Sequence, residues 1–366
     1  MDTQCINSLT ADAVSLLKEM IAIPSTSFNE DEVCSHICKW MSGHGIEHER
    51  IGNNIIAEHI CDPAKPTVML CAHIDTVEPC EGYTFNPYKP KNCPEGMVQG
   101  LGSNDDGASV VSMLAAYRYL TSKYRGGFNI ILVLTCEEER SGKGGMTGLW
   151  GSRICNREEV KTGCSPVDYA IVGEPTCMRA AIAERGLLVI DAMAEGVSGH
   201  AARNEGMNAL YIALEDIERL RSHNFAKISP RMGKVNLNVT QINAGTAHNV
   251  IPDRCSFVID IRPTEQYTNQ EILDELKSIC KSRLTPRNLL NQSSATFENS
   301  PLQKAAEVLG IETFSSPTTS DWMRISCDAI KMGPGDSARS HKKDEYVTVE
   351  EIGNGIKTYI EFIERL

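Results

Sequence analysis

The sequence predicts an α/β fold, a mixed sheet flanked by helices, interrupted by a smaller ferredoxin-like α+β domain. Two observations carry this expectation. From residue 67 to 175, apolar strand-like runs alternate with helical patterns and end in polar clusters, as in a layered sheet with functional groups at its strand ends. After about residue 178 the pattern changes to period-two strands around two amphipathic helices, in the order β-α-β-β-α. A length of 366 residues is also beyond the size at which one core stops growing.

The elements follow in order. A helix is expected to begin near Thr10, with Val14, Leu17 and Ile21 on one face and Pro24 as its stop. A strand follows at 67–72 (TVMLCA). Residues 100–107 (GLGSNDDG) are too rich in Gly, Asn and Asp to be regular, and they open onto a helix at 108–120. A buried strand at 129–135 leads into an acidic, glycine-rich loop reaching Gly148. A further strand at 168–172 ends in Gly173-Glu174-Pro175. The inserted part reads as strands at 186–194, 235–242 and 255–262, with helices at 208–223 and 269–284. The last helix opens on a capping box, Thr348 with Glu351, and buries Ile352, Ile356, Ile360 and Ile363. The domain boundaries expected from this pattern are 1–178 and 289–366 for the larger domain and 179–288 for the insertion.

Composition narrows the function. The chain is 41% hydrophobic, which excludes a disordered protein, and no run approaches the roughly 18 apolar residues of a membrane span. The formal charge of −12 repels phosphate backbones and anionic lipid, so neither nucleic acid nor membrane is an expected partner. The 14 cysteines include no C-x-x-C, the closest pair being Cys34 and Cys38, and Cys71, Cys136 and Cys255 lie inside apolar runs. With no basic and apolar leader at the N-terminus, a reduced cytoplasmic protein is expected.

Five polar clusters lie at strand ends. In His73-Ile74-Asp75 the two side chains point the same way in extended chain, so the carboxylate can orient the imidazole, although a surface turn would look the same. Asn104-Asp105-Asp106-Gly107 is an acidic loop that could also simply cap the next helix. Glu137-Glu138-Glu139 places adjacent carboxylates after a buried strand, where a cation or plain solvation could relieve their repulsion. Glu174 and His341 complete the series. Two histidines and several carboxylates form an N/O ligand set suited to a pair of divalent ions, zinc foremost. Nucleophile and nucleotide motifs fail: there is no G-x-S-x-G, no H-E-x-x-H, no P-loop spacing at Gly142-Lys143, and Asp105 stands where a dinucleotide fingerprint needs glycine.

MLCAHIDTV, GLGSNDDGAS, TCEEERSG, IVGEPT, GVSGHAAR and SHKKDEYV, in this order between residues 69 and 347, resemble the motif series of a di-zinc amidohydrolase and peptidase family. That family includes acetylornithine deacetylase, succinyl-diaminopimelate desuccinylase and the glutamate carboxypeptidases. Its deacetylases look most similar, chiefly through KMGPGDSARSH. The resemblance implies a zinc-peptidase-like catalytic domain with a lid and dimerisation domain inserted, and two zinc ions per subunit, with cobalt or manganese as substitutes. It implies that His73, Asp105 and Glu174 hold one ion and that Asp105, Glu139 and His341 hold the other. Asp75 stands behind the first histidine, Glu138 is the general base, and His200 reaches the substrate carbonyl across a homodimer. Asn249 and Arg262 match substrate-contacting lid residues. The implied activity is amide hydrolysis of a small N-acyl amino acid, N-acetyl- or N-succinyl-L-ornithine in arginine biosynthesis. A desuccinylase, a di- or tripeptidase and, more distantly, a non-catalytic zinc-dependent binding protein are the alternatives. The chain departs from the family pattern in having three glutamates where Asp-Glu-Glu is usual, and in Leu101 and Asp106-Gly107, so Glu137 and Asp106 stand as rivals to their neighbours.

Overall fold

The computed structural model of the chain describes residues 2–123, 127–154, 167–203 and 205–366. The chain forms two compact units. The first comprises Met1–Ile182, Thr296–Phe314 and Ser320–Leu366; the second comprises Ala183–Ala295 and Ser315–Thr319.

The first unit is built on a mixed sheet. Its strands lie in the order Glu49–Ile51, Asn54–His59, Asn129–Thr135, Thr67–His73, Tyr169–Val172, Asp328–Lys331, Ala180–Glu184. Strand Thr67–His73 runs parallel to both of its neighbours, with His73 opposite Thr135 and Cys71 opposite Val172. Strands Thr67–His73 and Asn129–Thr135 are buried at every position, which is why they read as continuous apolar runs rather than alternating ones. One face is covered by helices Thr3–Ile21, Gly107–Lys123 and Val349–Ile363, which join a single core through residues such as Leu17, Leu114 and Ile356. The other face packs Met69 and Val133 against Met146 and Trp322. Because the central strands are parallel, their carboxyl ends open at one edge. The segments carrying His73, Glu137–Glu139 and Glu174 all leave from that edge.

The second unit is a four-stranded antiparallel sheet in the order Asn236–Ala244, Arg254–Arg262, Leu188–Glu195, Arg283–Pro286. Helices Ala209–Ser222 and Asn269–Ile279 contribute to one apolar core with the alternating residues Leu188, Ile190, Ala192 and Ala194. The chain order is β-α-β-β-α-β, the ferredoxin-like arrangement.

Three local differences from the sequence reading have physical causes. The first helix starts at Thr3 rather than near Thr10, because the Asp2 carboxylate caps the Gln4 N–H. Helix Asp31–Gly43 and the hairpin strands Glu49–Ile51 and Asn54–His59 were not anticipated. The helix expected at 269–284 stops at Ile279, where Cys280 turns extended, and Arg283–Pro286 becomes an edge strand. That turn is pinned by the buried Asp216 carboxylate, which accepts the N–H groups of Lys281 and Ser282 and the Ser282 hydroxyl.

Candidate metal centre

His73 is the last residue of its strand and is 3% exposed. Its Nε2 lies 3.2 Å from Asp105 Oδ1, and its Nδ1 lies 3.0 Å from the Asp75 carbonyl and 3.4 Å from the Asp75 carboxylate. Asp105 faces a second histidine with its other oxygen, Oδ2 being 3.6 Å from His341 Nε2. The same His341 nitrogen is 2.9 Å from Glu139 Oε1. Glu138 and Glu174 also lie close to His73. The ligand atoms of His73, Glu138 and Glu174 lie within 4.8 Å of one another, as do those of His73, Asp105 and Glu139. Both sets include His73, and Asp105 also faces His341, so the cluster as a whole offers N/O donors suited to borderline or hard divalent ions.

The acidic loop is held in register by Asp75. Its carboxylate accepts the N–H groups of Glu138 at 3.0 Å and Glu139 at 3.1 Å, and the Ser27 hydroxyl at 2.6 Å. These bonds fix the single 3₁₀ turn Glu138–Arg140 directly after the buried strand. Glu137, with φ +60°, turns the opposite way and accepts the Gly144 N–H at 2.8 Å. A Cβ at Gly142 or Gly144 would collide with this carboxylate, so the glycines leave it room. Asp106 is engaged elsewhere; its Oδ2 accepts the backbone N–H of His73 at 3.3 Å.

Residues that the sequence reading did not single out support the cluster. The Glu345 carboxylate accepts the N–H groups of Gly102, Asn104 and Asp105, closing the loop that presents Asp105. Asp321 accepts the Thr135 hydroxyl at 2.6 Å beneath the acidic turn. The SHKKDEYV run contained Glu345, but nothing local marked its partner 243 residues away.

Electrostatics favour a cation. Burial, and then the neighbouring carboxylates, push Glu138 and Glu174 well above the ordinary range. Burial raises Asp106 to about 8, Glu345 to about 7 and Asp321 to about 6. Burial alone would raise Asp105 and Asp75 too, but the His73 hydrogen bonds outweigh it and hold both below the usual carboxylate value. The Glu139 hydrogen bond raises His341 to about 9. So many carboxylates crowded into a dry site are best compensated by multivalent positive charge.

The remaining predicted residues belong to the second unit. His200 lies in a short strand, Gly199–His200, opposite Val250, and the Asn249 carbonyl accepts the Ala201 N–H, so His200 and Asn249 are neighbours. Arg262 ends its strand with its guanidinium bonded to both Asp260 carboxylate oxygens, Nε at 2.9 Å and Nη2 at 3.2 Å.

Comparison with known proteins agrees with this geometry. Residues 69–365 match the family described as peptidase family M20/M25/M40. Succinyl-diaminopimelate desuccinylase from Wolbachia pipientis is 26% identical, over 96% of this chain and 93% of its own length. Acetylornithine deacetylase from Proteus mirabilis is also 26% identical, over 91% of each. Among solved structures, aminopeptidase PepT from Bacillus cereus superposes with a TM-score of 0.75 at 19% identity, over 97% of this chain and 98% of that one. YXEP from Bacillus subtilis, described as a dinuclear metal binding peptidase, gives 0.73 at 15% identity over the same shares. The chain belongs to peptidase family M20/M25/M40 and is a metallo-hydrolase.

Proposed function

We propose that the protein hydrolyses the amide bond of a small N-acyl amino acid, N-acetyl- or N-succinyl-L-ornithine foremost, at a centre of two zinc ions. The observation that carries this reading is the continuous chain Glu174, His73, Asp105, His341 and Glu139, with Glu138 beside it. In this reading His73, Asp105 and Glu174 hold one ion, and Asp105, Glu139 and His341 hold the other. Asp105 rather than Asp106 is the shared ligand, because only Asp105 lies against both histidines. Bound divalent ions supply Lewis acidity toward the scissile carbonyl and make water a competent nucleophile near neutral pH.

The side chains do the rest. Glu138 takes the proton of the attacking water and returns it to the departing amine. Its environment matches the role, since burial and the neighbouring carboxylates raise its affinity for a proton. Glu137 is unsuited, because its carboxylate is spent on the glycine loop. Asp75 orients His73 and positions Glu138 and Glu139 through their N–H groups. His200, contributed by the partner subunit of a homodimer, donates to the carbonyl oxygen as negative charge develops there. Asn249 and Arg262 contact the substrate, Arg262 through the guanidinium edge that Asp260 leaves open.

Support for the homodimer comes from the second unit, where Asn236–Ala244 is an edge strand of its sheet and Tyr211 and Leu214 of helix Ala209–Ser222 are 64% and 48% exposed. A cytoplasmic location accords with the described cysteines all being free and with no described helix being long and apolar enough to cross a membrane. The desuccinylase likeness, equal in identity to the deacetylase one, keeps N-succinyl-diaminopimelate as the second substrate to be tried. The test is hydrolysis by the zinc-loaded protein of N-acetylornithine, N-succinylornithine, N-succinyl-diaminopimelate and a short peptide panel. Turnover of an N-acylornithine above the rest supports the reading; turnover of peptides alone overturns it.

A further inference from the structure

Beside the metal centre, and within the same unit, lies an open pocket of about 420 Å³ whose lining includes Thr26, Glu78, Glu139, Arg140 and His341. The Asp75-anchored turn that presents Glu138 and Glu139 presents Arg140 as the next residue, so its position is fixed by the same bonds. Arg140 is exposed and, among the described residues, meets no carboxylate within ion-pair distance. The neighbouring Glu139 is paired with His341 instead. A guanidinium at the edge of an acidic cluster that does not pair with that cluster has its planar donor fork available to a ligand.

The pocket wall supplies a further donor. The Thr26 hydroxyl accepts from Asn29 and keeps its own proton to give. The opposite charge is present too: Glu78, exposed among the lining residues, opposes an anion.

We propose that Arg140 is a specificity-determining residue that binds a carboxylate of the substrate, with Thr26 as a second donor. This rests on the N-acyl amino acid reading of the adjacent centre and narrows its substrates to those with a carboxylate within reach of the pocket. The carboxylate comes either from a dicarboxylic acyl group, as in succinyl, or from the amino acid itself.

The experiment is calorimetric binding of succinate to the metal-loaded protein, in wild type, Arg140→Gln, Arg140→Lys and Glu78→Gln. Arg140→Gln is expected to weaken succinate by about tenfold or more, and Arg140→Lys to recover part of it through a point charge without the fork. Glu78→Gln is expected to tighten binding. Succinate affinity equal within twofold in wild type and Arg140→Gln overturns the proposal. So does a loss of metal affinity in Arg140→Gln with no change for succinate, which would make the arginine a charge compensator for the ligands. The kcat/KM ratio for N-succinyl- over N-acetylornithine then assigns the source. A fall in the ratio in Arg140→Gln marks the acyl carboxylate, and equal losses on both substrates mark the amino-acid carboxylate. If wild type hydrolyses no N-acyl amino acid yet succinate binding still depends on Arg140, the hydrolase reading fails while this one stands.

Discussion

Replacing Asp75 by Asn keeps shape and volume but changes one acceptor into a donor, so its cost can be worked out bond by bond. Oδ1 accepts the Glu138 N–H and faces His73; Oδ2 accepts the Glu139 N–H and the Ser27 hydroxyl. An amide nitrogen in the Oδ1 place would confront both the Glu138 N–H and the imidazole. In the Oδ2 place it confronts only the Glu139 N–H, because the Ser27 hydroxyl can rotate to accept. The second orientation is therefore cheaper, and it leaves one buried N–H without an acceptor, worth about 1–3 kcal/mol. That N–H belongs to Glu139, a proposed ligand, so the loss falls on the metal site. Metal affinity should drop by about 10- to 100-fold, the usual consequence of removing a group that orients a ligand. Competition with a fluorescent chelator measures the affinity, and a thermal melt of the metal-free protein measures the stability loss. Ser27→Ala, which removes one bond and leaves both N–H groups satisfied, should cost less on both counts. Unchanged metal affinity in Asp75→Asn would refute the argument that this carboxylate sets the register of the acidic turn.

Two further predictions concern other parts of the molecule. His341→Ala should lower bound metal from about two ions per chain to about one, read by elemental analysis, because it removes a ligand from only one of the two proposed sets. Asp216 accepts four donors, including Arg219, and these bonds overcome the burial that would otherwise raise it, so its folded-state value is depressed. Its contribution is present above the unfolded carboxyl value of about 3.9 and is lost as pH falls through the lower folded value. Asp216→Asn should therefore destabilise by about 1–3 kcal/mol at neutral pH, with the gap to wild type closing below about pH 4 in urea melts.

Much of this molecule was legible because the signals were local. The Thr348 and Glu351 capping box forms as read, with the four predicted isoleucines of that helix buried. The period-two runs of the second unit became strands with one buried face, as Leu188, Ile190, Ala192 and Ala194 show. Polar residues after apolar runs proved to lie at the open ends of parallel strands, and this placed His73, Glu138, Glu139 and Glu174 together. What was missed depends on contacts distant in sequence. The helix expected at 269–284 ends early because Asp216, on another helix, captures the turn. The contest between Glu137, Glu138 and Glu139 could not be decided locally, since it depends on Asp75 for two of them and on the glycine loop for the third. Likewise, Asp105 differs from Asp106 only by which histidines each meets in the folded chain. The Gly52-Asn53 turn of the hairpin was a local signal that could have been used; Ile51 and Asn54 pair directly across it.

The most direct test of the central claim is made on Glu138→Gln, by measuring metal content and N-acylornithine hydrolysis in the same preparation. The account predicts full metal occupancy, wild-type folding and a turnover lower by at least about 100-fold, the scale of a lost general base. Hydrolysis within a few-fold of wild type at full metal occupancy would contradict it.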